Sequence, residues 1–104
     1  MPVIQKTQAK VHDFDGSRWT AYVSPSQGSE ELCAWSAEVP VSAKPSPHRV
    51  NKEEVLFVLS GRLRLVHEGC DAIAESGDAL VVPPDTDVHI TNAGTEPAVT
   101  WVTT

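Results

Sequence analysis

Signals for chain reversal recur through this sequence and limit the length of every regular element between them. Pairs such as Asp15-Gly16, Ser60-Gly61 and Ser76-Gly77 are typical of turns, and beyond Gly61 such signals return about every eight residues. The segments between them are short, apolar and rich in Val, a composition that favours β-strands. Short strands at this spacing predict an all-β fold, a small antiparallel β-barrel or jelly roll.

Five strands are predicted in the second half of the chain. They are Val55–Leu59, Leu63–Val66, Ala79–Val82, Val88–Thr91 and Val99–Val102.

One earlier segment, residues 32–39, fits two kinds of element. Leu32, Trp35 and Val39 lie at helical spacing. The odd-numbered positions from Cys33 to Val39 also alternate with their neighbours, as in a strand. Because Pro40 ends the segment and the rest of the chain is strand-like, we predict a strand here.

Length and composition allow a single core. With 104 residues, of which 40% are hydrophobic and 21% charged, the chain has the size and balance of one globular domain. We expect one domain over residues 1–104, with an N-terminal strand arm over about 1–23 and a core barrel over about 30–104. Cys33 and Cys70 are too few for a disulfide framework in a chain of this size, so free thiols are expected.

The charge balance and the shortness of the apolar runs each disfavour one kind of partner. Eight basic and fourteen acidic residues give a net charge of −6, and no basic cluster is present, so a nucleic-acid partner is not expected. The longest apolar run, Val55–Leu59, is too short to cross a bilayer, and the N-terminus lacks the pattern of a signal peptide. We therefore expect a soluble, cytoplasmic protein with no membrane partner.

The order of polar and turn residues between about Pro47 and Asn92 resembles the paired motifs of the cupin superfamily. His48, Glu54 and Gly61 match the first motif, in which histidines are followed by a glutamate and a glycine. The second motif is matched by Gly77-Asp78, Pro83 and Asn92. The resemblance implies an antiparallel barrel of the double-stranded β-helix type, commonly a homodimer, in which Gly61 and Gly77 serve as turn residues.

Two departures from these motifs bear on metal binding. Val50 and Val88 stand where the metal-binding members have a histidine, and His89 is one residue out of register. A shift of one residue turns a strand side chain to the other face, so His89 points out of the barrel unless a bulge restores its phase. Two remaining ligands, His48 and Glu54, rarely hold a divalent ion. The resemblance therefore implies a degenerate metal site with no cofactor.

What remains inside the predicted barrel is a pair of titratable groups in an apolar cavity. Val50, Val88 and Ile90 are the predicted pocket residues, and His48 and Glu54 are the candidate catalytic residues. A carboxyl group and an imidazole are the minimum needed for general acid and base catalysis. An exposed strand position for Glu54 and a loop-capping role for His48 stay open. The three tryptophans are interpreted as core or interface residues.

Three functions follow from this sequence. The first is a pocket for a small-molecule ligand without a metal, in an isomerase, cyclase or lyase that uses Glu54 and His48. The second is a metal-dependent oxygenase or isomerase, with Fe, Zn, Mn, Ni or Cu held by His48, Glu54 and a rephased His89. The third is a non-catalytic module whose dimer surface binds a partner. The identity of the ligand and the presence of any catalysis stay open.

Overall fold

The computed structural model describes residues 2–14, 16–42, 44 and 46–104. Asp15 of the first predicted turn lies outside the described residues. Nearly all regular structure is β, with two short 3₁₀ turns, Lys6–Gln8 and Pro25–Gln27. The described residues contain no α-helix, which confirms the predicted all-β class. Residues 34–39 form a strand, so the strand interpretation of the ambiguous segment is also confirmed.

Ten strands are assigned in the described part of the chain. They are β1 (Lys10–Phe14), β2 (Ser17–Val23), β3 (Ala34–Val39), β4 (Ser46–His48), β5 (Glu54–Ser60), β6 (Arg62–His67), β7 (Cys70–Glu75), β8 (Ala79–Val82), β9 (Val88–Asn92) and β10 (Ala98–Thr103).

The strands form two antiparallel sheets. One has six strands in the order β1-β2-β3-β10-β5-β8, and the other has four in the order β4-β9-β6-β7. The C-terminal strand β10 lies between β3 and β5, so the sheet joins segments that are distant in sequence, as a jelly roll does. The residues predicted as an N-terminal arm supply β1 and β2, which extend the six-stranded sheet through pairing of β2 with β3.

The core lies between the two sheets and follows from period-two alternation. In β5 the side chains of Glu54, Leu56 and Val58 are buried while those between them are exposed. Leu63 and Leu65 of β6, in the opposite sheet, belong to the same apolar cluster as Leu56 and Val58. Burial of such side chains contributes roughly 1.5–3 kcal/mol each, so this cluster is the main source of stability.

Two predicted turn glycines adopt the left-handed conformation. Gly61 has φ +83° and Gly77 has φ +91°. A Cβ atom at Gly61 would lie 2.7 Å from the Cα atom of Ala98, whereas one at Gly77 would meet open space. Gly61 is therefore required by both conformation and close packing, and Gly77 by conformation alone.

Candidate ligand-binding site

The buried pair His48 and Glu54 is the chemical centre of the molecule. Nε2 of His48 lies 2.6 Å from Oε1 of Glu54. The Glu54 side chain has no exposed surface, while that of His48 is 20% exposed. A carboxylate only accepts hydrogen bonds, so Nε2 of His48 is the donor when Glu54 is ionised. The hydrogen bond is then charge-assisted.

Local structure explains how residues six positions apart come together. His48 ends β4, where it pairs with Val88 of β9, and Glu54 begins β5. Glu54 lies on the same strand face as Leu56, so it points inward with the core. The sequence left an exposed position for Glu54 open, and the structure instead places this carboxylate fully inside.

An aromatic ring lies parallel to the imidazole of His48. The rings of Trp19 and His48 are nearly parallel, with an interplanar angle of 13° and centroids 6.3 Å apart. Trp35 of β3 packs next to Trp19, with ring centroids 5.8 Å apart. Because Trp19 belongs to β2, the N-terminal strands contribute directly to the site.

A narrow, mostly apolar cavity of about 50 Å³ adjoins the pair. Side chains of both sheets enclose it. The lining residues are Trp19, Ala37, Val39, His48, Leu56, Leu63, Ile90, Thr100 and Val102. One water needs roughly 10–15 Å³ of such space, so the cavity has room for a few waters or for a small organic group.

Three buried polar atoms in this region have no hydrogen-bond partner. They are Oε2 of Glu54 and the indole Nε1 atoms of Trp19 and Trp35. Most buried polar side-chain atoms in folded proteins are paired, and an unpaired one costs about 1–3 kcal/mol. Among these three residues Trp19 lines the cavity, and Glu54 is bonded to His48, which also lines it.

The three predicted pocket residues have different positions. Ile90 lines the cavity. Val88 is buried in the apolar cluster and does not line the cavity. Val50 is half-buried in the loop before β5, where its carbonyl oxygen accepts a hydrogen bond from the backbone N–H of Asp85. The expectation that all three valine and isoleucine side chains line one pocket is thus met only at Ile90.

His89 lies on the outer surface. Strands β6 and β9 pair in unbroken register from His89 opposite Val66 to Asn92 opposite Leu63, so no bulge changes the phase of this stretch. The imidazole is exposed and lines an outer cleft together with His67 and Arg49. The metal-dependent alternative, which requires an inward His89, is therefore not met by this strand geometry.

The donor set does not fit a metal centre of the family type. His48 and Glu54 are adjacent, but the remaining motif positions hold Val50 and Val88. Within residues 2–14, 16–42, 44 and 46–104, no group of three or more His, Cys, Asp or Glu side chains could hold an ion. A divalent ion usually needs at least three protein ligands, so we derive no chemical step through a metal.

Asn92, the last residue of the second motif, has a structural role. Its Nδ2 donates to the carbonyl oxygens of Val39, at 3.0 Å, and Glu96, at 2.8 Å. Its Oδ1 accepts from the backbone N–H of Gly94 at 2.7 Å. These bonds tie the loop after β9 to the end of β3, where Val39 lines the cavity.

Sequence reasoning named only His48 and Ile90 among the nine lining residues, and two of those it missed carry polar atoms. Trp19 was interpreted as core or interface packing, but it lines the cavity. Thr100 is only 1% exposed, and its hydroxyl donates to the carbonyl oxygen of Ala37 at 3.3 Å. The one available signal was alternation in β10, which places Thr100 on the same face as Val102.

The described residues include no helix with the length and apolar character needed to span a membrane.

Comparison with known proteins gives matches at the level of family and fold. A family model described as "Cupin domain" matches residues 35–104. The polyketide cyclase RemF from Streptomyces resistomycificus has a similar structure, with a TM-score of 0.83 at 18% identity over 99% of this chain and 78% of that one. KdgF from Halomonas sp. gives a TM-score of 0.78 at 17% identity over 99% and 92% of the two chains.

A third solved structure is an RmlC-like cupin from Shewanella frigidimarina, with a TM-score of 0.76 at 19% identity over 93% of this chain and 83% of that one. At these identities the likeness is one of fold. No curated protein sequence matches the chain.

Proposed function

The chain belongs to the cupin family, and we propose that its barrel cavity binds a small organic molecule beside the His48–Glu54 pair. In this proposal Glu54 takes up and returns the proton of a carbonyl-bearing ligand, His48 positions its carboxylate, and no metal takes part. Isomerisation, cyclisation and elimination are the reactions that need only such proton transfers.

One observation carries the proposal. Oε2 of Glu54 is buried without a partner, while Oε1 of the same carboxylate is held by His48. A carboxylate fixed at one oxygen and open at the other is positioned to accept a proton from a bound molecule. Purely structural carboxylates in protein interiors usually have both oxygens satisfied.

The chemistry follows from this geometry. Oε2 accepts a proton from a carbon next to the substrate carbonyl, and the hydrogen bond from His48 keeps the carboxylate in place. In an isomerisation the same proton returns to a neighbouring carbon, so no oxidant or reductant is needed. The apolar lining keeps bulk water away from the intermediate. A fold of this type carries a polyketide cyclase in Streptomyces resistomycificus, which supports cyclisation as one of the three reactions.

The test is the substitution Glu54→Gln, which removes the basic oxygen with little change of shape. Glu53→Gln is the matched control, because Glu53 is the neighbouring residue and is exposed. Both variants are screened with the parent protein against a library of small carbonyl compounds, by ligand-detected NMR and by turnover. We expect Glu54→Gln to change binding or turnover while its circular dichroism spectrum stays unchanged. Equal binding and turnover in all three proteins would overturn the proposal.

Metal dependence is decided separately. We expect untagged protein to carry metal far below stoichiometry, measured by mass spectrometry before and after reloading with zinc or iron. Near-stoichiometric metal that is lost in both His48→Ala and His89→Ala would support the metal-dependent alternative instead.

Homodimer formation is a second proposal, and an exposed apolar sheet face favours it. We define the outer apolar face as Tyr22, Val55, Phe57, Val81 and Trp101. Phe57 pairs with Trp101, and Val55 with Val81, across neighbouring strands. Tyr22 packs on Trp101 with ring centroids 5.6 Å apart.

Large exposed apolar patches mark interaction surfaces, and a second copy would cover this one. Phe57 is 41% exposed on this face, and Ile73 is 45% exposed on the four-stranded sheet. We expect sedimentation to give a dimer for the parent protein and for Ile73→Lys, and a monomer for Phe57→Lys. A monomeric parent protein, or a dimer that survives Phe57→Lys, would contradict the proposal.

A further inference from the structure

The cavity between the sheets has a buried floor and a partly exposed mouth. Five of its lining residues are almost fully buried, namely Ala37, Leu56, Leu63, Thr100 and Val102. The other four are half-buried, namely Trp19, Val39, His48 and Ile90. Because solvent reaches the lining mainly at these four side chains, a ligand enters the cavity past them.

The mouth lies at one edge of the barrel. Trp19 and Val39 belong to the neighbouring strands β2 and β3 of the six-stranded sheet. His48 and Ile90 belong to β4 and β9 of the other sheet, in which β4 is an edge strand. Trp19 and His48 therefore approach each other from opposite sheets.

The indole of Trp19 closes the mouth beside His48. The two rings are nearly parallel, at an interplanar angle of 13°, and their centroids are 6.3 Å apart. Atoms in contact lie about 3.5–4.0 Å apart, so a further flat ring between two parallel rings needs about 7–8 Å. A cyclic ligand therefore cannot enter between Trp19 and His48.

The space inside the mouth is also too small for a ring. The cavity has a volume of about 50 Å³, whereas an engineered apolar cavity in another protein admits benzene at about 150 Å³. Trp19 has the largest side chain at the mouth, and its indole is itself larger than benzene. This side chain thus occupies the volume that a cyclic ligand would need.

We propose that Trp19 is the residue that limits the size of the ligand. With its indole in place, the cavity accepts open-chain carbonyl compounds of a few heavy atoms and excludes cyclic ones. The inference rests on the proposed function and adds a specificity-determining residue to the same cavity. Of the three proposed reactions it favours isomerisation and elimination, because a cyclisation would form a ring in a space that holds none.

The test compares acetone and cyclohexanone, which share a carbonyl group and differ in size. Binding is followed by NMR titration of the backbone amide signals of Ala37 and Thr100, on the cavity floor. In the parent protein cyclohexanone should bind more weakly than acetone. In Trp19→Ala the order should reverse. Each added carbon that is buried strengthens binding roughly fourfold, so cyclohexanone, with three more carbons, should bind roughly 10- to 50-fold more tightly than acetone.

Trp35→Ala is the matched control. Trp35 packs next to Trp19, with ring centroids 5.8 Å apart, and also packs against the apolar core, but it does not line the cavity. Its removal creates empty space of the same size without opening the mouth, so acetone should remain the tighter ligand. Trp19→Leu and Trp35→Leu, which keep an apolar side chain, give the same comparison where an alanine variant does not fold by circular dichroism.

Three results would overturn the inference. They are cyclohexanone binding to the parent protein as tightly as to the Trp19 variants, an equal gain in the Trp35 variants, and no binding of cyclohexanone to the Trp19 variants.

The proposed function is judged independently by Glu54→Gln against the carbonyl library. If Glu54→Gln changes nothing while Trp19→Ala admits cyclohexanone, the size limit stands and the proposed function fails. A cyclic library ligand that the parent protein binds or converts in a manner dependent on Glu54 would leave the proposed function standing and refute the size limit.

Discussion

Replacement of His48 by Leu should destabilise the protein more than replacement of its partner. Glu54 is fully buried, with His48 bonded to Oε1 and nothing bonded to Oε2. The substitution His48→Leu would leave the whole carboxylate unpaired in the interior. Removal of one partner of a buried ion pair costs about 3–5 kcal/mol, and partial exposure of the His48 site lets some water in, so we expect about 3 kcal/mol.

The opposite change should be milder. Glu54→Leu removes the group that is costly to bury and leaves a partly exposed imidazole, so we expect a loss of about 1 kcal/mol or less. The double variant His48→Leu/Glu54→Leu should lie within about 1 kcal/mol of the parent protein, because it replaces a buried polar pair by apolar side chains. Recovery of stability on adding a second substitution is the signature of this pair.

The assay is urea unfolding of the four proteins at pH 7 and one fixed protein concentration. A loss of 3 kcal/mol corresponds to a fall in Tm of about 12–24 °C for a domain of this size. His89→Leu is the control, since the exposed His89 should change the free energy of unfolding by less than about 0.5 kcal/mol. The reasoning is refuted if His48→Leu costs no more than Glu54→Leu, or if the double variant loses the sum of the two.

Three further predictions concern the scaffold. Gly61→Ala should lower the free energy of unfolding by several kcal/mol, because the added Cβ atom would lie 2.7 Å from the backbone of β10. Gly77→Ala should lower it by only roughly 1–2 kcal/mol, the strain of a left-handed alanine. Equal losses in thermal unfolding would contradict this difference. Asn92→Ala should lower the free energy of unfolding in urea by about 2–3 kcal/mol, since three hydrogen bonds to backbone groups are lost. A loss below about 1 kcal/mol would contradict a structural role of Asn92. The hydrogen bond from Arg64 holds the pKa of the Asp71 carboxyl below its ordinary value of 3.8, so the pair stabilises the fold above that pH and the effect is lost as the pH falls through the lowered pKa. Asp71→Asn should accordingly be slightly less stable than the parent at pH 7, and the difference should shrink as the pH falls below 3.8. A difference that grows on acidification would speak against this origin.

The strands and turns could be predicted because their signals are local. Gly61 and Gly77 lie where the left-handed conformation is needed, and the Val-rich segments between turns form strands. Alternation also placed His89 on the outer face, where its side chain is exposed. Both results depend only on residues adjacent in sequence.

The residues that line the cavity could not be predicted, because they come from strands that are distant in sequence. Trp19 belongs to the cavity because β2 pairs with β3, and β3 pairs with β10 from the far end of the chain. Thr100 belongs to the cavity because β10 inserts between β3 and β5. A single sequence carries no direct signal for such distant pairing, so Val50 and Val88 were assigned to a pocket that the fold builds from other residues.

The depth of Glu54 is a further case. Its neighbours Lys52 and Glu53 are exposed, and the charge pattern there is equally typical of a solvated strand end. Only the pairing of β5 between β8 and β10, together with the approach of His48 from the other sheet, buries this carboxylate. The full burial is a tertiary property.

The most direct test of the His48–Glu54 pair is a crystal structure at high resolution, grown at neutral pH. We predict a hydrogen bond between Nε2 of His48 and Oε1 of Glu54, and an ordered water or ligand oxygen within about 3 Å of Oε2. A metal ion between His48 and Glu54, or a Glu54 side chain turned out to solvent, would contradict it.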